Sequence, residues 1–263
     1  MQRRTFVGAS VAALTSAAAG LEADPKPASA DVYELRTYTL KPEKWPVLDA
    51  YLKSAFVPAV KRHGAGPVGV FTDRVDKPAG GTPLMLAAVL VVHPSGESVT
   101  AMPTKLAADE AYQKAAADYL AATAADPVYV RIETSVSVAI AGMPKLAKPD
   151  TAKPRLLNLR VYESHNERAA AKKVEMFEKG ELDIFKRVGL TPVFFASAVA
   201  GAALPNLTYL LTFPDQAGLK AAWNTFRADP AWVTLKAMPE YADKEIVSKI
   251  TNTVWAPTAY SEI

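Results

Sequence analysis

The 263-residue chain has no cysteine and only three histidines. Without a thiol there is no disulfide, no thiolate nucleophile, no cysteine-ligated metal and no lipidated cysteine. His63, His93 and His165 show none of the spacings that hold zinc, and nothing marks one as an axial haem ligand. A Gly-rich phosphate loop, a nucleophile elbow and an HExxH pattern are all missing. No metal and no cofactor are therefore expected. An excess of one charge is lacking too: 30 Lys+Arg face 27 Asp+Glu, and the basic residues form neither a run nor a helix face, which argues against nucleic acid as a partner. The N-terminal apolar run, residues 7–19, is too short and too alanine-rich to span a bilayer, so stable membrane insertion is not expected.

Half of the residues are apolar, and the length is enough for two packed cores. The opening, "MQRRTFVGASVAALTSAAAG", has a short basic start before its apolar run and reads as a signal peptide over residues 1–30. Arg3 and Arg4 followed by Thr5-Phe6-Val7 resemble a twin-arginine export signal, with Gln2 where Ser or Thr is usual. Small residues offer cleavage after Ala19 or after Ala30, the second preferred because a strand begins just beyond it. The expected location is periplasmic or extracellular.

The remainder is written twice. "VYELRTY" (32–38) returns as "LLNLRVY" (156–162), "VKRHG" (60–64) as "FKRVG" (185–189), and "AADEAY" (107–112) as "RADPAW" (227–232). In each copy the first strand is followed by an amphipathic helix that stops at Gly64 or Gly189, by two apolar strands, by a second helical region and by a fourth strand. Pro58 is expected to kink the first helix, and Pro103 and Pro230 to break the second helical region of each copy. The order β-α-β-β-α-β is that of a ferredoxin-like unit. Residues 31–141 and 155–263 therefore read as two domains of α+β class, joined by a linker over 142–154, with their sheets packed against each other so that neither apolar face meets water.

The order "YELRTYTLKP", "AVKRHGAGPVGVF", "RADPAW" and a closing strand resembles the NIPSNAP family domain, across both copies. The resemblance implies a dimeric α+β barrel, here supplied by one chain, and implies little about activity. Copy two departs from the pattern in "NLRVYESHNE" and in Val188, which stands where the family often has His; a function attached to His63 would exist in one half only.

Candidate chemistry centres on the repeated strand. Arg36 and Tyr38 share one face of it, as do Arg160 and Tyr162 in the second copy. With Leu35, Leu157 and Leu159 assigned to the helices, these four residues are expected to point into the space between the sheets. A buried guanidinium needs a carboxylate or an anionic ligand, and Glu34, on the same face, and Glu133, beside Arg131 on strand four, are the candidate partners. Two readings stand: internal ion pairs that fix the register, or a pocket for a small polar or anionic molecule lined by Arg36, Tyr38, Arg160, Tyr162, Arg131 and Glu133. For catalysis, the resemblance to the barrel superfamily implies a cofactor-independent oxygenation or isomerisation, with His63, Arg36 and Tyr38 as candidates. A solid barrel acting as a protein-interaction or scaffold module is the alternative, and self-association stays open. Glu175, Glu178 and Glu181, with Lys172 and Lys179, read as a solvated helix flank, and Tyr112 and Trp232 as anchors of the second helical region.

Overall fold

The computed structural model describes residues 29–73 and 84–263, so the expected signal peptide lies almost wholly outside the described residues. The first half runs β1 (Val32–Leu40), α1 (Trp45–Tyr51), a π turn (Leu52–Phe56), α2 (Val57–Arg62), β2 (Val68–Asp73), β3 (Met85–His93), α3 (Gly96–Ala108), α4 (Glu110–Ala115), α5 (Ala117–Leu120) and β4 (Arg131–Ala139). The second half repeats it as β5 (Leu156–Glu163), α6 (Glu167–Met176), a π turn (Phe177–Glu181), α7 (Leu182–Arg187), β6 (Thr191–Ala200), β7 (Asn206–Phe213), α8 (Gln216–Ala228), α9 (Pro230–Lys236), α10 (Asp243–Ile246) and β8 (Lys249–Pro257).

Strand order is β4-β1-β3-β2 in one half and β8-β5-β7-β6 in the other, the ferredoxin-like order in both. The halves also join at both edges: β2 pairs with β8 and β4 with β6, which closes an eight-strand antiparallel barrel. Closure removes every free sheet edge, the feature that exposes a sheet to unwanted pairing. The β2–β8 seam is short, from Phe71↔Pro257 to Asp73↔Trp255, whereas β1 and β3 pair along their whole length. Cohesion between the halves therefore depends on what fills the barrel.

That filling is apolar. Tyr33, Phe71, Leu157, Phe194, Leu210 and Trp255 are buried together inside the barrel, with the Tyr33 ring stacked on Phe194 at 4.3 Å. Each such side chain contributes roughly 1.5–3 kcal/mol by leaving water. Two further cores lie outside the barrel, each between one half's sheet and its own helices.

This arrangement reverses the expected faces of the repeated strand. Leu35, Leu157 and Leu159 belong to the barrel interior, while Tyr38 and Tyr162 lie in the helix-facing cores and Arg36 sits over the ring of Phe56 from the first helix. An eight-strand barrel is just wide enough to be filled by side chains, here aliphatic and aromatic ones. The two arginines with Tyr38 and Tyr162 occupy the layer between sheet and helices.

The helices also differ from expectation. Pro58 stands in the first turn of α2, directly after a π turn in which the Val57 N–H bonds to the Leu52 carbonyl. The second half has the same turn, Leu182 to Phe177, without a proline, so the proline is tolerated by the turn rather than its cause. Pro103 lies inside an unbroken α3. In the first half the break falls instead at Asp109, whereas in the second it falls at Asp229 and Pro230, as expected of Pro230; the two aspartate carboxylates cap α4 and α9. Arg62 donates to Asp109 at 2.7 Å and Arg187 to both oxygens of Asp229 at 2.7 and 2.8 Å. The repeated Lys-Arg-X-Gly and Ala-Asp-X-Ala motifs are thus two ends of one clamp between helical layers. Gly64 and Gly189 end their helices at φ +83° and +80°, where a side chain would be strained. Among the described residues no helix is long and apolar enough to cross a membrane.

Candidate functional site

The two copies of the arginine strand occupy equivalent places but have different neighbours. In the first half Glu34 stands two residues before Arg36 and accepts from its Nε at 2.7 Å. The other oxygen of Glu34 accepts from His93 Nε2 at 3.1 Å, and His93 Nδ1 lies 3.0 Å from Ser98 Oγ. Burial opposes ionisation of Glu34, but the hydrogen bonds from His93 and Arg36 outweigh it and hold its carboxyl below its ordinary value. Every charge in this cluster has a partner.

In the second half Asn158 stands where the first has Glu34, and Phe213 where it has His93. Asn158 is committed elsewhere: its side chain accepts from Trp223 Nε1 at 3.1 Å and donates to Asn252. Arg160 consequently has no carboxylate within ion-pairing distance among the described residues, and its buried Nε has no hydrogen-bond partner. Its guanidinium lies over the Trp223 ring at 4.4 Å and near Tyr162 at 5.3 Å. Tyr209, whose phenol burial keeps well above its ordinary value, donates to the Tyr162 hydroxyl at 3.0 Å and so fixes that ring.

The helix layer differs as well. Counting from the π turns, Leu48 and Phe56 of the first half correspond to Lys173 and Glu181 of the second. Lys173 donates to Glu181 at 3.1 Å with both side chains buried, and its Nζ also lies 4.7 Å from the Phe177 ring centroid. Burial outweighs the lysine and raises the Glu181 carboxyl above its ordinary value. Glu181 is thus a core residue and not part of a solvated flank. Glu175 does lie on that flank, paired to Lys172 and Lys179.

Between β5, β8 and the helices of the second half these residues line a cleft of about 240 Å³, with Arg160, Tyr162, Lys173 and Trp223 toward its interior and Arg227 and Lys236 at its exposed rim. The volume suits one ring with its substituents and is below the ordinary size of a drug-sized site. Larger clefts exist, such as the groove of about 430 Å³ beside Tyr51 and Tyr119, but Asp118 is its sole charged residue. Convergent charge and aromatic surface, rather than volume, distinguish the Arg160 cleft.

The remaining expected residues lie apart from it. Arg131 and Glu133 are both exposed, 3.7 Å from each other. Glu133 is opposite Thr37 and not Arg36, so it lies on the barrel side of the sheet, where it lines a polar mouth of about 300 Å³ with Thr37, Ser135, Thr208 and Thr251. His63 Nε2 is 3.0 Å from Asp109, whose carboxyl the Tyr112 N–H and then Arg62 hold down at about 2; the histidine belongs to the helix clamp and is not brought together with Arg36 and Tyr38. Tyr112 is buried as expected, while Trp232 is half-buried beside the cleft. Lys173, Trp223, Arg227 and Lys236 were not expected from the sequence. Lys173 could have been found as a charged residue in an otherwise apolar helix stripe, and Arg160 singled out by comparing Glu34 with Asn158. Among the described residues no group of three His, Cys, Asp or Glu could hold a metal ion.

The fold matches solved structures along most of its length. A "putative monooxygenase" of Fusobacterium nucleatum aligns with 87% of this chain and 93% of its own, at 7% identity and TM-score 0.58. An anthrone oxidase-like protein aligns with 89% and 96%, at 10% identity and TM-score 0.52. A NIPSNAP family protein of unknown function from Agrobacterium tumefaciens, 17% identical, aligns with 41% of this chain and 92% of its own at TM-score 0.37. At these identities the two full-length likenesses bear on fold alone. No curated protein matches the sequence. The NIPSNAP family model matches residues 33–136 and again 157–262. The chain therefore belongs to the NIPSNAP family and carries its domain twice.

Proposed function

We propose that this NIPSNAP protein binds a small anionic molecule with a flat ring in the second half, between the sheet and its helices, and that the first half is the structural copy. The carrying observation is the pair of arginines: Arg36 is matched by Glu34, and Arg160, in the same strand position, has Asn158 and an open cleft. A partly buried guanidinium without a counter-charge gains most from an anion that supplies two oxygens. Trp223, Tyr162 and Trp232 offer the flat apolar walls against which a ring packs. Aromatic and aliphatic side chains fill most of the sheet-to-sheet space, which supports a site outside the barrel. Benzoate is the simplest probe of this reading. Calorimetric titration is expected to give saturable one-site binding that Arg160→Ala weakens at least tenfold and Arg36→Ala, where it folds, does not; equal affinity in wild type and Arg160→Ala overturns the reading.

We also propose export, supported by Arg3-Arg4 ahead of the apolar run and by a family match that begins only at residue 33. Cell fractionation of the full chain should place it outside the cytoplasm, and Arg3→Lys with Arg4→Lys should retain it inside. An unchanged distribution contradicts export by this route.

A further inference from the structure

The charge of the second-half cleft goes further than one anion. Aligning the helices on Asp109 and Asp229, Arg227 stands where the first half has Ala107 and Lys236 where it has Ala116. Both added cations lie at the rim of the cleft that Arg160 floors. Arg227 donates only to the neutral Asn224 Oδ1 among the described residues, and Lys236 makes no ion pair there. Lys173 is matched by Glu181, and Asp243 is the one carboxylate among the lining residues. Four cations against two carboxylates leave two positive charges unmatched. The corresponding region of the first half, with Glu34 on Arg36 and alanines at the two rim positions, carries no such excess.

A surface lysine or arginine taken singly means little, since most are solvated. Here two arise at positions that are alanine in the other copy, and both sit on the same cleft as the partly buried arginine that lacks the carboxylate of its counterpart. From this, and resting on the ligand-binding reading above, we infer that the ligand is a dianion: a flat ring carrying two acidic groups, one held by Arg160 at the inner end and the second by Arg227 and Lys236 at the rim. The two ends differ in strength. The inner group is desolvated against Trp223 and Tyr162, so its contact with Arg160 governs whether anything binds. The rim contacts are solvated and act through a Coulomb attraction that salt screens over about 8–10 Å.

The test compares benzoate with phthalate, isophthalate and terephthalate, which share its ring and add a second carboxylate in three positions. Calorimetry at low ionic strength is expected to show at least one dicarboxylate binding ten times or more tighter than benzoate. Arg227→Ala with Lys236→Ala should abolish that preference, weakening the dicarboxylate much more than benzoate. Raising the salt should shrink the preference in wild type and change little in the double variant. If benzoate binds through Arg160 and no dicarboxylate is preferred, the dianion inference is wrong and the simpler reading survives. If a preference persists in the double variant, the second charge is read elsewhere and the rim assignment is wrong. If none of the four binds, the ligand-binding reading itself falls.

Discussion

The first-half cluster of Glu34, Arg36 and His93 and the second-half cleft around Arg160 are the same place in two copies of one fold. In the first, the carboxylate on the strand satisfies the arginine, the helix presents Phe56 and Leu48, and the space is packed. In the second, the strand carboxylate is gone, a lysine and a glutamate replace the two apolar helix residues and satisfy each other, and the arginine is left facing a cleft. The charged strand residue is common to both halves; what differs is who neutralises it. Internal ion pairing, one of the two readings of the repeated Arg-x-Tyr strand, describes the first half; ligand binding, the other, is what we propose for the second.

The largest expected effect comes from making the second half resemble the first. Asn158→Glu places before Arg160 the residue that pairs with Arg36 in the first half, at the expense of the amide's bonds to Trp223, Asn252 and Thr253. Benzoate affinity of the folded variant should fall about thirtyfold, equivalent to about 2 kcal/mol. Unchanged affinity would mean that the absence of the carboxylate is not what opens the site. Next is the reverse operation. Glu34→Gln leaves a buried guanidinium without its counter-charge and should cost about 3 kcal/mol in denaturant unfolding, the lower end for a broken buried pair because the Arg36 side chain keeps 16% of its exposure. A cost near zero would show that the first half is not held by this pair.

The halves should also differ in their response to pH. Glu34 has a folded value below its ordinary 4.5, so its stabilising contribution is complete above 4.5 and is lost as the pH falls through the depressed folded value. Glu181 has a folded value above 4.5, so its contribution is fully present below 4.5 and is lost as the pH rises through the raised value. In stability measured against pH, Glu34→Gln should flatten the acid side below 4.5 and Glu181→Gln the decline above it. The same window for both variants would contradict the assignment. Smallest of all is the effect at His63, since Arg62 also holds Asp109 and the second half does without a histidine. His63→Val should change neither benzoate affinity nor melting temperature appreciably; a lost affinity would return the histidine to the site.

The repeat, the order of elements and both glycine stops could be read from the sequence because each is a periodic or punctuating pattern, while the barrel followed from the family resemblance. Which face of the repeated strand looks into the barrel could not. The sheet is covered on both sides, and β3 is buried at nearly every residue, so alternation separates two faces without saying which meets the helices. The same inversion moved Glu133 from Arg36's side to the barrel mouth. Pro103 was misread for a different reason: α3 tolerates it, while the real break is set by the capping aspartate that both copies share. The site itself was half legible. Arg160 stood out as a repeated residue, but its significance lies in Asn158, Lys173 and Glu181, a strand position and two helix positions that come together only when the layers are stacked.

Arginine side-chain NMR tests the central claim most directly, because Arg36 and Arg160 can be observed in the same sample. Adding benzoate should shift the Nε–Hε signal of Arg160 in a saturable way and leave that of Arg36 in place. A shift at Arg36, or none at Arg160 while benzoate binds, would contradict the division of labour between the halves.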